Sequence, residues 1–178
     1  MPAGELCDYI VSKHHGYARL SLSIIQEQFS KLIQDSEKNA EEVKLVYTKF
    51  LALKEILIKH LKKEETILFP FIRKMDSIKQ GKSHGCFPLG VKVDNPLKIT
   101  SREHESIIGF FNEIRVLTRN YSAPSVDSLR LKVCFAELLE LEQDLYKHFF
   151  LEENILHPKL IELGNLIQQL ETESSAIS

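Results

Sequence analysis

Apolar residues recur every three to four positions over four long stretches of the chain, and nowhere do they alternate with a period of two. The first stretch, about residues 4–35, carries Val11, Leu22, Phe29 and Leu32 on one stripe. A break at Ser36-Glu37-Lys38-Asn39 follows, and Asn39 with Glu42 three residues on reads as a helix start. The second stretch aligns Val46, Phe50, Leu53, Leu57, Leu68 and Phe71 and reaches about residue 77. Residues 79–97 hold Gly81, Gly85, Pro88, Gly90 and Pro96, which predicts one long loop. Thr100 with Glu103 opens a third helix through Ile107, Phe111, Ile114 and Leu117. A turn over 120–125 leads to the fourth helix, about 125–171, with Pro124 tolerated in its first turn. Its predicted face is Val133, Leu138, Leu141, Leu145 and Ile155, and the polar tail 172–178 is expected to fray. These patterns predict an all-α, antiparallel up-down four-helix bundle, with residues 1–178 as one domain.

Composition narrows the function classes. The 178 residues are 43% apolar, enough to bury a real core. Lys and Arg number 23 against 25 acidic residues, a formal charge of −2, so no net field draws in nucleic acid or an anionic membrane. No apolar run approaches the roughly 20 residues that span a bilayer. The opening Met1-Pro2-Ala3-Gly4-Glu5 lacks the basic and apolar regions of a signal peptide, so a cytoplasmic location is expected. Cys7, Cys86 and Cys134 are odd in number and widely spaced, which fits neither a disulfide framework nor a zinc ribbon.

Two segments are near copies: His60-Leu-Lys-Lys-Glu64-Glu65-Thr-Ile67-Leu68-Phe-Pro70 and His148-Phe-Phe-Leu-Glu152-Glu153-Asn-Ile155-Leu156-His-Pro158. Both read H-x-x-x-E-E-x-I-L-x-P. Residues four apart share a helix face. In each helix that face continues into core leucines, so His and Glu point inward together. A single H-x-x-x-E is most often an exposed salt link. Burying an imidazole beside an ionised carboxylate twice, in matching places, requires compensation, and a metal supplies it. Pro70 and Pro158, each interrupting the helical bonding, predict kinks or helix ends just beyond the site, with the polar Thr66 and Asn154 helping to solvate freed carbonyls.

Two further histidines fall at the right level. His15 precedes His60 by 45 residues and His104 precedes His148 by 44. In a hairpin rising about 1.5 Å per residue, such pairs return to the same height. His15 is in phase with the apolar stripe, whereas His14 shares a more polar face, so His15 is the preferred donor. His84 falls in the long loop and is expected to be solvated. His157, half a turn out of phase with His148, is expected outward or behind the donors. Nitrogen donors with bridging carboxylates suit a non-haem di-iron centre, with manganese as the other candidate.

From about Cys7 to Leu160 the chain resembles the hemerythrin-like di-iron family, most closely the repair-of-iron-centres proteins of nitrosative and oxidative stress. Tyr9-Ile10-Val11 leading to His14-His15, His60 to Pro70, Glu103-His104-Glu105 and His148 to Pro158 carry the resemblance. It implies that His15, His60, His104 and His148 bind two iron ions. Glu64 and Glu152 would bridge them, with an oxo or hydroxo group completing the bridge. The family's further histidine, 21 residues after the first, is here Ser36, which implies an open or weaker position on one iron. The short Cys-rich N-terminal domain usual in those stress proteins is not expected with this bundle, and His157 stands where an aromatic residue is usual.

The implied function is protection or repair of damaged iron–sulfur proteins, by iron donation or by reduction of nitric oxide at the di-iron site. The rival is a hemerythrin-type protein that binds or senses dioxygen or iron without catalysis. No phosphate loop, Cys-x-x-Cys pair, zinc-protease helix or nucleophile elbow competes. Cys7, on the first helix below His15, reads as a small core residue with a redox or iron-handling role as the alternative.

Overall fold

A computed structural model describes residues 1–35, 40–82, 94–122 and 129–176. Four long helices account for nearly all of them. Helix α1 (residues 3–35) is α-helical over Ala3–Ile10 and Gly16–Asp35, with a π turn at Val11–His15 between. Helix α2 (residues 40–79) comprises Ala40–Lys63, a π turn at Glu64–Leu68, and Phe69–Lys79. Helix α3 is uninterrupted over Asp94–Leu117. Helix α4 (residues 129–176) comprises Leu129–Leu151, a π turn at Glu152–Leu156, and His157–Ala176. Helix α1 lies against α2 and α4, and α2 against α3, as an antiparallel up-down bundle.

The buried apolar residues fall into two clusters. One fills most of the bundle, with Leu22, Phe29, Phe50, Leu57, Phe111 and Leu141 among its members. The other, around Leu6, Ile10, Phe69, Ile72, Leu156 and Leu160, fills the remaining end. Between them lies the level of His15, His60, His104 and His148.

Several boundaries differ from the sequence reading. Helix α3 starts at Asp94, so 94–97 belong to it rather than to the predicted 79–97 loop. Pro96 sits in the first turn, where a helix tolerates it, and the Thr100 hydroxyl donates to the Pro96 carbonyl at 3.1 Å instead of capping. Helix α2 runs to Lys79 and ends in a Schellman cap, with Lys82 N–H on Ser77 O and Gly81, at φ 67°, on Ile78 O. Helical backbone continues through Ala176, so the expected fraying at Thr172 is not seen over 172–176. Asn39, Ser36, His84, Cys86 and Pro124 lie outside the described residues.

Both prolines follow a π turn instead of ending a helix. Phe69 N–H reaches Glu64 O, and His157 N–H reaches Glu152 O, each five residues back. Thr66 Oγ1 donates to Lys62 O at 2.7 Å and Asn154 Nδ2 to Phe150 O at 3.1 Å, satisfying carbonyls upstream of the widened turn. Each π turn absorbs one extra residue, so every later side chain is rotated back by about 100°. That rotation exposes Ile155 and Ile67, the latter 65% accessible, although both were in phase with the motif histidines. It buries Leu156, Phe69 and His157 in their place. Upstream, the buried stripe of α4 runs through Leu131, Cys134, Phe135, Leu138, Leu141 and Leu145, which leaves Val133 exposed.

One polar brace closes the α3–α4 connection. Arg119, Asn120 and Tyr121 all adopt positive φ, a conformation that strains non-glycine residues. The Tyr121 hydroxyl donates to Glu142 Oε2 at 2.7 Å, and Arg115 Nε donates to Glu142 Oε1 at 2.8 Å. Glu142 is 1% accessible, so both partners are needed to offset its burial. Tyr121→Phe is expected to lower unfolding free energy by about 1–3 kcal/mol, measured by denaturant titration, without changing metal stoichiometry.

Candidate metal centre

Each helix delivers its donors from a specific local feature. His15 closes the π turn of α1, Glu64 and Glu152 open those of α2 and α4, and His60 and His148 stand one turn earlier. His104 comes from the uninterrupted α3. All six residues are at most 2% accessible.

They form two groups sharing two carboxylates: His15, Glu64, His148 and Glu152, and His60, Glu64, His104 and Glu152. Within each, one donor atom per residue lies within 4.8 Å of the others. Glu64 Oε1 is 3.1 Å from His60 Nε2 and 3.9 Å from His104 Nε2, whereas Oε2 is 3.4 Å from His15 Nε2 and 3.9 Å from His148 Nε2. Glu152 divides likewise, with Oε2 3.1 Å from His104 Nε2 and Oε1 3.2 Å from His148 Nε2. Each carboxylate thus presents one oxygen to each pair of imidazoles.

The outward ring nitrogens explain why the inward ones need a cation. His15 Nδ1–H donates to Glu65 at 2.7 Å, His60 Nδ1–H to Glu103 at 3.0 Å and His104 Nδ1–H to Glu153 at 2.8 Å. A carboxylate only accepts, so these contacts assign the proton to Nδ1 and leave the Nε2 lone pair facing inward. His15 Nε2 and His148 Nε2 stand 3.2 Å apart, a contact in which one ring carries the proton and the other accepts it. His60 Nε2, His104 Nε2 and all four oxygens of Glu64 and Glu152 are buried with no hydrogen-bond partner. Acceptors converging on acceptors in a dry interior are stabilised only by cations between them. Imidazole nitrogen and carboxylate oxygen suit iron and related transition ions, so the donor set fits such a metal.

Without metal, protons do this work. Burial opposes charge on His104, but a proton placed on its Nε2 would be bonded by the Glu152 and Glu64 carboxylates, which outweighs burial and raises its pKa to about 10. Burial would likewise raise the Glu64 and Glu152 carboxyls, yet the surrounding imidazoles hold both below the ordinary range. Phe149 stacks on the His104 ring at 3.9 Å and Phe69 on His15 at 5.5 Å, walling the layer off with apolar faces.

All six sequence-predicted donors are brought together. His14 is also buried, but its Nδ1 sits 3.1 Å from both Asp144 oxygens and its ring stacks on His148. His157 faces inward with Nε2 unpartnered, and burial lowers its pKa. Cys7 is a buried member of the end cluster, its thiol pushed up to about 12 by burial and so kept neutral. Ser36, at which an open or weaker position on one iron was expected, lies outside the described residues. Sequence reasoning missed the bracing acids Glu65, Glu103 and Glu153. Their signal was adjacency, since each directly follows or precedes a donor.

A model of the hemerythrin HHE cation-binding domain matches residues 8–160. The chain is 29% identical over 162 residues to proteins named iron-sulfur cluster repair protein YtfE from Salmonella typhimurium, Salmonella paratyphi B and Salmonella newport. Each alignment covers 90% of this chain and 67% of the relative. Among the described residues no helix is long and apolar enough to cross a membrane.

His104's raised pKa makes metal-free stability pH-dependent. Its contribution is complete below the unfolded value of 6.5 and is lost as pH rises through about 10. The melting temperature of metal-free protein is therefore expected to fall across that window, while metal-loaded protein, whose imidazoles stay deprotonated, shows a flatter profile. Calorimetric scans at stepped pH measure both, and parallel curves would contradict the assignment.

Proposed function

The chain belongs to the hemerythrin HHE cation-binding domain family, and on that premise we propose that it is a non-haem di-iron protein serving iron–sulfur cluster repair under nitrosative or oxidative stress. The observation that carries the di-iron reading is the division of Glu64 and Glu152, one oxygen of each toward either imidazole pair. His15 with His148 would hold one ion, His60 with His104 the other, and the two glutamates would span both.

Iron bound there supplies one-electron redox chemistry and affinity for small ligands such as nitric oxide or dioxygen, with manganese a weaker fit to that role. The chain's own part is to fix the donors and exclude water. Glu65, Glu103 and Glu153 orient three imidazoles by their Nδ1 protons. Apolar clusters on both sides keep the layer dry. Metal entry displaces the proton held between His104 and the two glutamates, so loading releases protons and strengthens as pH rises.

The relatives' name as iron–sulfur cluster repair proteins supports damaged cluster proteins as the partner, and iron supply from this centre is the act we propose. Reduction of nitric oxide at the same centre is the other chemistry it would support. Reactivation of a damaged cluster enzyme by the iron-loaded protein supports the first, and nitrous oxide formation the second. Reversible oxygenation without either would replace both with a dioxygen carrier.

His60→Ala and Glu152→Ala are each expected to reduce iron from about two per chain to one or fewer, and to lower the melting temperature together with it. Elemental analysis of freshly loaded protein measures the first and a thermal melt the second. Unchanged iron in both variants would reject these ligands.

A further inference from the structure

The donors of the layer have an approximate two-fold symmetry, and the sequence breaks it at the residue that would brace His148. Helices α1 and α2 map onto α3 and α4, so His15 corresponds to His104, His60 to His148, and Glu65 to Glu153. The Glu65–His15 contact at 2.7 Å is then matched by Glu153–His104 at 2.8 Å. The remaining brace, Glu103 on His60 at 3.0 Å, requires its counterpart at position 14, acting on His148.

Position 14 is histidine. Its ring lies on His148, with centroids 5.7 Å apart and planes within 8°, which is where the symmetry places it. It cannot offer a carboxylate, and its Nδ1 instead faces Asp144 at 3.1 Å. His148 Nδ1 is consequently buried with no partner among the described residues, while the other three outward nitrogens are each held. One brace on each side is itself held by a cation, Glu103 by Lys63 at 2.7 Å and Glu65 by Arg19 at 2.8 Å, so the two sides differ at His148 and not in this reinforcement.

We propose that the two metal positions are unequal by construction: the ion between His15 and His148 is held more loosely than the ion between His60 and His104, and is the one released first. This inference rests on the di-iron reading above. An outward hydrogen bond to a carboxylate fixes the ring and raises the basicity of the ligating nitrogen. Losing one such partner typically weakens metal binding by about 10- to 100-fold. His148 lacks it, so the fully braced pair retains its ion after the half-braced pair has lost its own. A protein that keeps one ion and its fold while surrendering the other is suited to handing out iron singly. His14, Glu65, Glu103 and Glu153 act here as positioning residues.

The test is release kinetics. Protein loaded anaerobically with two ferrous ions is challenged with excess ferrous chelator and followed by absorbance. Two phases of about one iron each are expected, the first at least about tenfold faster. Glu103→Ala should accelerate the slow phase and leave the fast one unchanged, with Glu103→Gln, which keeps an acceptor oxygen, restoring most of the difference. His14→Glu should slow the fast phase by supplying the missing brace. Should His14→Glu not fold, the phase-specific effect of Glu103→Ala, a partly exposed side chain, decides alone. A purely structural role for Glu103 would accelerate both phases equally and would overturn the proposal. Release of both irons in a single phase would overturn it too, leaving the di-iron reading intact, whereas protein that binds no iron overturns both.

Discussion

The constraint on which this structure turns is the cost of placing two carboxylates and four imidazoles, all but inaccessible to water, across the middle of an apolar bundle. Each buried ion would cost several kcal/mol even after relaxation, comparable to the 5–15 kcal/mol by which ordinary domains are stable at all. Such a layer persists only if positive charge occupies the space where its lone pairs meet. Protons satisfy part of this need, as the raised pKa of His104 attests. Two metal ions would satisfy it more fully, because each carboxylate would then have a cation at either oxygen.

The backbone is adapted to that layer. Three of the four helices widen into π turns at the site, and the fourth passes through undisturbed. A regular helix returns to the same face every 3.6 residues, which would have carried Ile67 and Ile155 inward and Leu156 and His157 away. The extra residue in each turn resets the phase. Thus the helices can meet the geometric demand of the donors on one side of the layer and still offer leucines to the second apolar cluster on the other. The prolines at 70 and 158, which lack a donor to continue the old register, fall just where the new one begins.

The duplicated H-x-x-x-E-E pattern made the six donors and the bundle legible, because a buried charged motif occurring twice is hard to reconcile with chance. The near-equal spacings of His15–His60 and His104–His148, 45 and 44 residues, then place all four histidines at one height. What escaped had physical reasons. Periodicity assumes a fixed 100° step, so it places Ile155, which lies within a π turn, inward, and leaves His157, just beyond that turn, between an outward place and one behind the donors. The start of α3 was set too late because Thr100 and Glu103 mimic a cap within a continuing helix, where Thr100 bonds back to Pro96 instead. His14 was assigned to a polar face since its partner Asp144 lies 130 residues away, and a contact of that range leaves no local trace. The bracing glutamates sat beside the donors in sequence, but only the fold reveals which ring each one serves.

Anomalous diffraction at the iron absorption edge, from crystals of the iron-loaded protein, bears most directly on the central claim. Two peaks are predicted within the bundle, one between His15 and His148 and the other between His60 and His104, with Glu64 and Glu152 spanning the pair. A single peak, or iron only at the surface with the six side chains arranged as they are here, would contradict it.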